Sequence, residues 1–447
     1  MSSTFIAHYD SPHQFEPLLP SPAKQGELLE RAADVIAASS ALGTALSLGP
    51  QEDLRTLLRK MNSFYTNLIE GEHTRPSEID RALASEFSGD QEIARKQRLA
   101  IGHMAVEAEF ETMLDEHARD PSQQDPVLYA DETLCALHEK LFRDLPDEDR
   151  RLKDGSLMVP GRMRARQVAV GIHEAPLHSA VPAFLARWRE VYAGARRGEA
   201  TLLAISASHH RLAWIHPFED GNGRVSRLHT HLALYSGGYT KGLWSPLRGF
   251  ARTQDRYRSL LKAADEHRRG DLDGRGNLSE AGLVDWMNYV LDVFLDQARF
   301  MSAQLNVSGM RDRIHACLQF EETAVKRGVR TEALAPLYLL FVTQTEMPRG
   351  DFKQMCGLGD RQATQLISDM LREGYLRSRS AHGPLSFAIP ARALRFYFPS
   401  LWPEAEQDEA LIANTSGQWR TKGGGWGGGG WGEGSMAPMT GSGRGSR

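Results

Sequence analysis

The chain has 447 residues, of which 41% are apolar and 25% charged, a balance typical of a soluble globular protein with about two or three domains. Its 53 basic and 57 acidic side chains give a net charge of −4, which excludes a strongly basic, histone-like chain. Three widely separated cysteines predict neither a disulfide framework nor a cysteine-rich zinc site. The sequence shows no secretory signal and no apolar run of the ~20 residues that a membrane span needs, so we expect a cytoplasmic protein without a membrane partner.

The N-terminal region, residues 1–100, is predicted to be an arm followed by helices. Roughly the first 25 residues are rich in Pro, Ser and His, which favours an extended arm. Leu54, Leu58, Met61 and Tyr65 then recur at spacings of three and four and predict an amphipathic helix over 54–69.

The middle of the chain, residues 101–303, is predicted to be a helical core with one short strand or hairpin. Gly155, Pro160 and Gly161 interrupt the helical pattern, and polar and apolar residues alternate over 166–170, which indicates the strand. Helical periodicity predicts helices over about 91–117, 126–144, 180–195, 199–213, 223–236, 253–267 and 279–301.

The C-terminal region is predicted to hold a separate small domain and a tail. After a linker helix near 304–326, three short helices and two strands follow within 330–398, the order of a winged helix-turn-helix domain. We assign this linker and domain to residues 304–400. Thirteen of the 41 glycines lie between Gly417 and Gly445, and the Gly/Trp-rich tail 415–447 is expected to be disordered.

The segment from Ile215 to Arg227 concentrates residues that can do chemistry. A predicted helix ends at His216-Pro217, because the residue before proline disfavours the helical conformation. A glycine-containing loop then leads into a new helix, whose N-terminus offers backbone N–H groups and the positive end of the helix dipole to a phosphate.

The charged side chains of this segment suit a nucleotide. Arg224 and Arg227 are three residues apart, so they lie on one helical face and can hold two further phosphate groups. Asp220 is a candidate Mg²⁺ ligand, since Mg²⁺ is usually held by one or two carboxylates together with phosphate oxygens. His216 has an ordinary pKa of about 6.5 and suits proton transfer. Each feature alone also fits a plain turn or a solvated helix face, but their combination within twelve residues favours a site.

The whole segment is similar to the His-Pro-Phe-x-(Asp/Glu)-Gly-Asn-Gly-Arg-x-x-Arg motif of Fic domains, and every fixed position is present. The resemblance extends over about residues 50–300, with 160–171 resembling the family's flap and 270–279 its later loop. It implies a mainly α fold, namely a Fic-type helical core with a short β-hairpin flap, here joined to the C-terminal winged-helix domain. It also implies transfer of AMP from ATP to a hydroxyl side chain of a target protein.

The resemblance assigns a role to each motif residue. His216 would deprotonate the target Tyr, Thr or Ser hydroxyl, and Asp220 would hold Mg²⁺ at the α- and β-phosphates of ATP. Arg224 would contact the β- and γ-phosphate region and Arg227 the γ-phosphate. The anion hole would be formed by Gly221, Asn222 and Gly223. Tyr257 lies where relatives often place an aromatic ring near adenine, although a core or surface tyrosine fits the sequence equally well.

A second motif indicates regulation. Thr66 to Gly71 fits the family's inhibitory (Ser/Thr)-x-x-x-Glu-(Gly/Asn) pattern at the end of the predicted 54–69 helix. By resemblance, Glu70 would pair with Arg227 and take the place of the γ-phosphate contact. A plain exposed Glu before a helix-ending glycine is the other interpretation.

Three functions follow from this sequence. The first is a protein adenylyltransferase that Glu70 inhibits, with ATP, Mg²⁺ and a hydroxyl-bearing target protein as partners. The second is the reverse reaction, removal of AMP, in which Glu70 would position a water molecule. The third is a DNA-binding regulator with the Fic core as nucleotide sensor, in which Arg361, Gln362, Thr364 and Gln365 would start the recognition helix. A homodimer is left open, because inhibition in the family sometimes depends on oligomeric state.

Overall fold

The computed structural model describes residues 9–43, 48–118, 127–170, 173–194, 198–305, 307–343 and 345–401. The predicted disordered tail 415–447 lies outside these residues. Within the described part, the chain is mainly helical, as the sequence predicts, with two two-stranded hairpins. No helix of the described part combines the length and the apolar composition needed to cross a membrane.

The first eleven helices and the first hairpin build the body of the molecule. They are α1 (Gly26–Gly43), α2 (Leu48–Ile69), α3 (Pro76–Leu83), α4 (Gln91–Ala118), α5 (Asp131–Phe142), β1 (Ala169–Val170), β2 (His173–Glu174), α6 (Val181–Tyr192), α7 (Glu199–Ile215), α8 (Asn222–Ser236), α9 (Leu247–Arg252), α10 (Gln254–Ala264) and α11 (Glu280–Gln304). The remaining elements are α12 (Val307–Phe320), α13 (Leu334–Thr343), α14 (Arg349–Cys356), α15 (Asp360–Arg372), β3 (Leu376–Arg377), β4 (Ser386–Phe387) and α16 (Leu394–Tyr397).

Helix α7 forms the centre of the body. It packs against α1, α6, α8 and α11, so nearly every side chain along it is buried, and its apolar residues continue around the helix. Such all-round apolarity is typical of a core helix. Because α7 ends at Ile215 and α8 begins at Asn222, the loop that carries the predicted chemistry is held between two buried helices.

The N-terminal arm packs into the core, which the prediction of an extended arm did not anticipate. Phe15 and Leu18 are buried. The carbonyl of Leu18 accepts a 2.5 Å hydrogen bond from the hydroxyl of Tyr192, and the carbonyl of Glu16 accepts one of 3.0 Å from the backbone of Leu278. Apolar residues among the arm's prolines therefore anchor it across elements that are distant in sequence.

Helix α2 crosses the face of α8 and packs against α4, α8 and α9. The predicted helix 54–69 ends where expected, but it begins earlier, at Leu48. Its last carbonyl, that of Ile69, accepts hydrogen bonds from Arg258 at 2.6 Å and Gln254 at 2.9 Å on α10. A basic side chain on the free carbonyls of a helix end is a stabilising cap, so α10 fixes the position of the C-terminus of α2.

The C-terminal domain has the helix order that the sequence predicts. Helices α13, α14 and α15 precede the hairpin β3–β4, in which Leu376 pairs with Phe387 and Arg377 with Ser386. The hairpin rests on α2, because Asp53 pairs with Arg377 and accepts a 3.0 Å hydrogen bond from the backbone of Ile389. The assignment as a winged-helix domain stays a prediction.

Candidate active site

The loop between α7 and α8 begins and ends in the left-handed conformation. His216 has φ 52° and ψ 61°, and Gly221 has φ 78°. Glycine adopts this region freely, whereas a residue with a Cβ is strained there. A Cβ on Gly221 would also lie 2.4 Å from Cε2 of Phe142, so both conformation and space require glycine at the start of α8.

The side chain of Asn222 fastens the loop to itself. Its Oδ1 accepts from the backbone N–H of Phe218 at 2.8 Å, and its Nδ2 donates to the Phe218 carbonyl at 2.9 Å. Phe218 is fully buried, so it anchors the loop in the core. Gly221 has no side chain that could cap α8, so the N–H groups of the first turn of this helix can bind an anion.

His138 on α5 supports the loop from behind, and sequence analysis did not find it. Its ring stacks on Phe218 with centroids 4.0 Å apart. Nδ1 accepts from the backbone of Gly161 at 2.8 Å, so Nε2 is left to donate to the Asp220 carbonyl at 3.1 Å. This one imidazole links the flap region to the catalytic loop. The sequence shows it only as one histidine on an amphipathic helix.

Arg164 holds the carbonyl side of the loop. Its Nε donates to the His216 carbonyl at 2.8 Å, and its backbone N–H donates to the Pro217 carbonyl at 2.9 Å. A further guanidinium N–H bonds to the carbonyl of Pro176, beyond β2. The guanidinium is buried among backbone carbonyls, so Arg164 is a positioning residue. It stands in the flap motif, but the motif alone does not show that it acts on the loop.

The environment of His216 favours a neutral imidazole. Burial, with a smaller contribution from nearby His173, lowers the pKa of His216 to about 4. A histidine with this pKa is unprotonated at neutral pH and can accept a proton. His173 is itself fixed by its Nε2, which lies 2.9 Å from the Trp214 carbonyl.

The two motif arginines face α2. Nε of Arg224 donates to Oδ1 of Asn67 at 3.0 Å. Nε of Arg227 donates to Oγ1 of Thr66 at 2.9 Å, and its Nη2 contacts both the Thr66 carbonyl at 3.3 Å and Oε1 of Glu70. Every one of these partners belongs to the short stretch that sequence analysis selected as the inhibitory motif.

Glu70 reaches into the site from solvent. Its side chain is 33% exposed, whereas the Arg227 side chain is 2% exposed. Burial alone would raise the pKa of Glu70, but attraction by Arg227 and Arg224 holds this pKa below its ordinary value. A Cβ on Gly223 would lie 2.5 Å from Oε1 of Glu70, so the carboxylate lies directly against the first turn of α8.

Tyr257 lies in the core beneath the arginines. It is 3% exposed, its ring packs beside Phe250 and Trp286, and its hydroxyl lies 2.9 Å from Nε2 of His209. Its hydroxyl also interacts with Arg227. In this arrangement Tyr257 supports Arg227 from below, and its predicted contact with adenine stays a prediction.

Asp220 fits a magnesium ligand. The carboxylate is exposed at the loop, and its Oδ1 accepts a 2.7 Å hydrogen bond from the backbone of Gly221. Its second oxygen can therefore reach an ion beside an anion bound at the N-terminus of α8. One carboxylate with phosphate and water oxygens is a common set of ligands for Mg²⁺.

The flap and the helix α15 present the other predicted surfaces. β1 pairs antiparallel with β2, with Ala169 opposite Glu174, so the predicted strand 166–170 is shorter than expected. On α15, four polar residues are exposed, namely Arg361, Gln362, Thr364 and Gln365. Thr364 and Gln365 bond within their own helix, and DNA binding stays a prediction.

Comparisons with known proteins agree with the motif. A family model described as Fic/DOC family matches residues 129–234. A protein adenylyltransferase Fic from Drosophila ananassae is 27% identical over 182 residues, which are 40% of this chain and 34% of the relative. One from Culex quinquefasciatus is 27% identical over 280 residues, 56% of this chain and 54% of the relative. The chain therefore spans about a third to a half of the length of these relatives.

Two solved structures are similar at lower identity. A Fic family protein from Desulfovibrio desulfuricans G20 is 18% identical, with 82% of this chain and 96% of that chain covered and a TM-score of 0.48. Fic-1 from C. elegans is 17% identical, with 64% of this chain and 74% of that chain covered and a TM-score of 0.45.

Proposed function

The chain contains a Fic domain, and from this premise we propose that it is a protein adenylyltransferase that transfers AMP from ATP to a Tyr, Thr or Ser hydroxyl of a target protein. The observation that carries the proposal is the loop between α7 and α8. It places an unprotonated His216, the free first turn of α8 and two buried arginines within twelve residues.

ATP would bind with its phosphates at the N-terminus of α8. The backbone N–H groups of the first turn and the dipole of α8 would hold an anion there. Arg224 and Arg227 would contact the outer phosphates with paired N–H groups. Asp220 would hold Mg²⁺, which would supply charge neutralisation beside the phosphates. These contacts mainly position the α-phosphorus and stabilise the charge that develops during transfer.

His216 would accept the proton of the target hydroxyl. The hydroxyl oxygen attacks the α-phosphorus, the bond from that phosphorus to the oxygen bridging toward the β-phosphate breaks, and pyrophosphate leaves. The proton on His216 then passes to solvent or to the leaving group. Arg164 and His138 would keep His216 and the loop in position, because both bond to the loop backbone.

ATP labelled at different phosphates tests this reaction. We expect label from α-labelled ATP on protein and none from γ-labelled ATP. His216→Ala should bind ATP and transfer no label. Transfer of the γ-label would identify a kinase, and normal labelling by His216→Ala would remove the general-base assignment.

We infer that Glu70 restrains this activity. Its carboxylate bonds to one N–H group of Arg227 that the γ-phosphate would otherwise take, and Thr66 on α2 bonds to another N–H group of the same guanidinium. Glu70→Gly should raise labelling. The matched control is Glu72→Gly, which removes a nearby carboxylate that pairs instead with Arg95 at 2.7 Å. Equal labelling by Glu70→Gly and the unmutated chain would contradict the inhibitory role.

The exposure of Glu70 also favours a second candidate, hydrolytic removal of AMP. A carboxylate that is 33% exposed can be reached by water and can orient that water toward a bound phosphoryl group. With an AMP-modified target, this activity requires Glu70, so Glu70→Gly should abolish AMP release. Release that continues at the unmutated rate in Glu70→Gly would exclude this candidate.

A further inference from the structure

A buried cluster of ionisable side chains lies between α4 and α8, behind the candidate active site. His103, Glu107 and Glu111 follow one another at spacings of four on α4, so they share one face of that helix. His231 approaches them from α8, one helical turn after Arg227. All four residues are at least 97% buried. None of them takes part in the proposed transfer of AMP.

The distances in this cluster match those between ligands of one metal ion. Nε2 of His231 lies 3.3 Å from Oε1 of Glu107 and 3.1 Å from Oε1 of Glu111. A tetrahedral ion with bonds of about 2.0–2.1 Å separates its ligand atoms by roughly 3.3 Å. One atom each from Glu107, Glu111 and His231 lies within 4.8 Å of the other two, so the three can approach the same ion.

Unpaired polar atoms in the cluster give a second, independent indication. Neither ring nitrogen of His103 has a hydrogen-bond partner among the described residues, although the side chain is 1% exposed. Its Nδ1 is directed at Oε2 of Glu107, 3.4 Å away, and that oxygen also has no hydrogen-bond partner in the described part. Buried polar atoms are costly when unpaired, and an unseen ion or water is a common explanation.

Neighbouring side chains orient the carboxylates in the way that metal sites require. From α2, Nδ2 of Asn62 donates to Oε1 of Glu107 at 2.7 Å, and Arg59 donates to Oε2 of Glu111 at 2.6 and 2.8 Å. Arg59 is itself paired with Glu52 at 3.2 Å. The charge of Arg59 is thus shared with a third carboxylate, so the negative charges of Glu107 and Glu111 can balance a divalent ion. Hydrogen bonds to ligating carboxylates are a regular part of metal sites.

We propose that Glu107, Glu111 and His231 bind a divalent transition-metal ion of the Zn²⁺ class, with His103 positioning Glu107. One imidazole and two carboxylates suit such an ion, and a water molecule would complete the four ligands. The ion joins α4 to α8. Through Asn62 and Arg59, α2 is fastened to the same point.

Metal content measured on the full chain tests the proposal. The protein used has no histidine tag. It carries the substitution Asp220→Ala, which removes the proposed Mg²⁺ ligand. It is stripped with a chelator, loaded with Zn²⁺ and desalted before mass spectrometric metal analysis. We expect about one ion per chain, as for a closed protein site. We also expect loading to raise the melting temperature, since only the folded chain holds the ligands together.

Substitutions distinguish this site from adventitious binding. Glu107→Gln and His231→Gln should each lose the ion, with the fold checked by circular dichroism. The matched controls are Glu109→Gln, an exposed position on α4, and His229→Gln, whose ring bonds to the Leu128 carbonyl. Both controls should keep the ion. The proposal would be overturned if Glu107→Gln and His231→Gln both kept the ion. It would also be overturned if the Asp220→Ala chain held no Zn²⁺ after loading and desalting.

X-ray absorption of the Zn²⁺-loaded Asp220→Ala chain covers the case in which the cluster variants fail to fold. The proposal predicts one imidazole nitrogen and oxygen ligands at about 2.0–2.2 Å. A spectrum with sulfur ligands, or with several imidazoles, would place the ion elsewhere and overturn the assignment.

Discussion

The substitution Glu70→Gln removes the charge of the Arg227–Glu70 pair and keeps the shape of the side chain. Arg227 is 2% exposed and loses the charge of its Glu70 partner, while its hydrogen bonds to the side chain and the carbonyl of Thr66 remain. Breaking a fully buried pair costs about 3–5 kcal/mol. Because Glu70 is 33% exposed, we expect a smaller cost of about 1.5–3 kcal/mol, the range for a hydrogen bond to a charged group.

Thermal unfolding measures this cost. At this chain length each kcal/mol shifts the melting temperature by about 1 °C, so Glu70→Gln should melt about 1.5–3 °C lower. Adding ATP with Mg²⁺ should raise the melting temperature of Glu70→Gln more than that of the unmutated chain, because the γ-phosphate would then pair with Arg227. Glu72→Gln breaks a pair whose arginine is 28% exposed, in contrast to the buried Arg227, so its melting temperature should fall less than that of Glu70→Gln. Equal melting temperatures for Glu70→Gln and the unmutated chain, with and without ATP, would refute the reasoning.

Three further predictions concern the loop and its supports. Because the pKa of His216 is lowered to about 4, His216 stays unprotonated as pH falls from 8 to about 6. The labelling rate should therefore stay level over this range and decline only nearer pH 4. Half the maximal rate at about pH 6.5 would show an ordinary histidine instead. Gly221→Ala should destabilise the fold by about 1–3 kcal/mol more than Gly155→Ala, because the two share a positive φ and only the Cβ at position 221 clashes with Phe142. Urea unfolding compares the two variants. Arg164→Gln should reduce labelling and keep ATP binding, which calorimetry measures. The control Arg162→Gln, at an exposed position, should leave both labelling and ATP binding unchanged. Equal labelling by the two variants would refute the positioning role of Arg164.

The local part of the structure could be predicted from the sequence. Helical periodicity predicts most helices within a few residues of their observed ends, since the spacing of apolar residues along a segment marks an amphipathic helix. The residues of the loop could also be identified from the sequence, because His216 to Arg227 form one continuous segment. The contact between Glu70 and Arg227 was predicted only through a resemblance, since 156 residues separate the two positions.

The supports of the loop could not be predicted in this way. His138 and Arg164 act by bonding to backbone carbonyls and N–H groups, and such bonds follow from how α5 and the flap pack against the loop. Phe15 shows the same limit in the N-terminal arm, where its burial depends on helices far along the chain. Packing between distant segments leaves no periodic signal within the arm.

Comparing Glu70→Gly with Glu70→Gly/His216→Ala in one assay tests both proposed roles, that of His216 as the base and that of Glu70 as the inhibitor. Each variant is incubated with α-labelled ATP and Mg²⁺ in a cell lysate that supplies target hydroxyls. We expect strong protein labelling by Glu70→Gly, because Arg227 is released, and none by the double variant, because no base accepts the hydroxyl proton. Equal labelling by the two variants, or none by either, would contradict these roles.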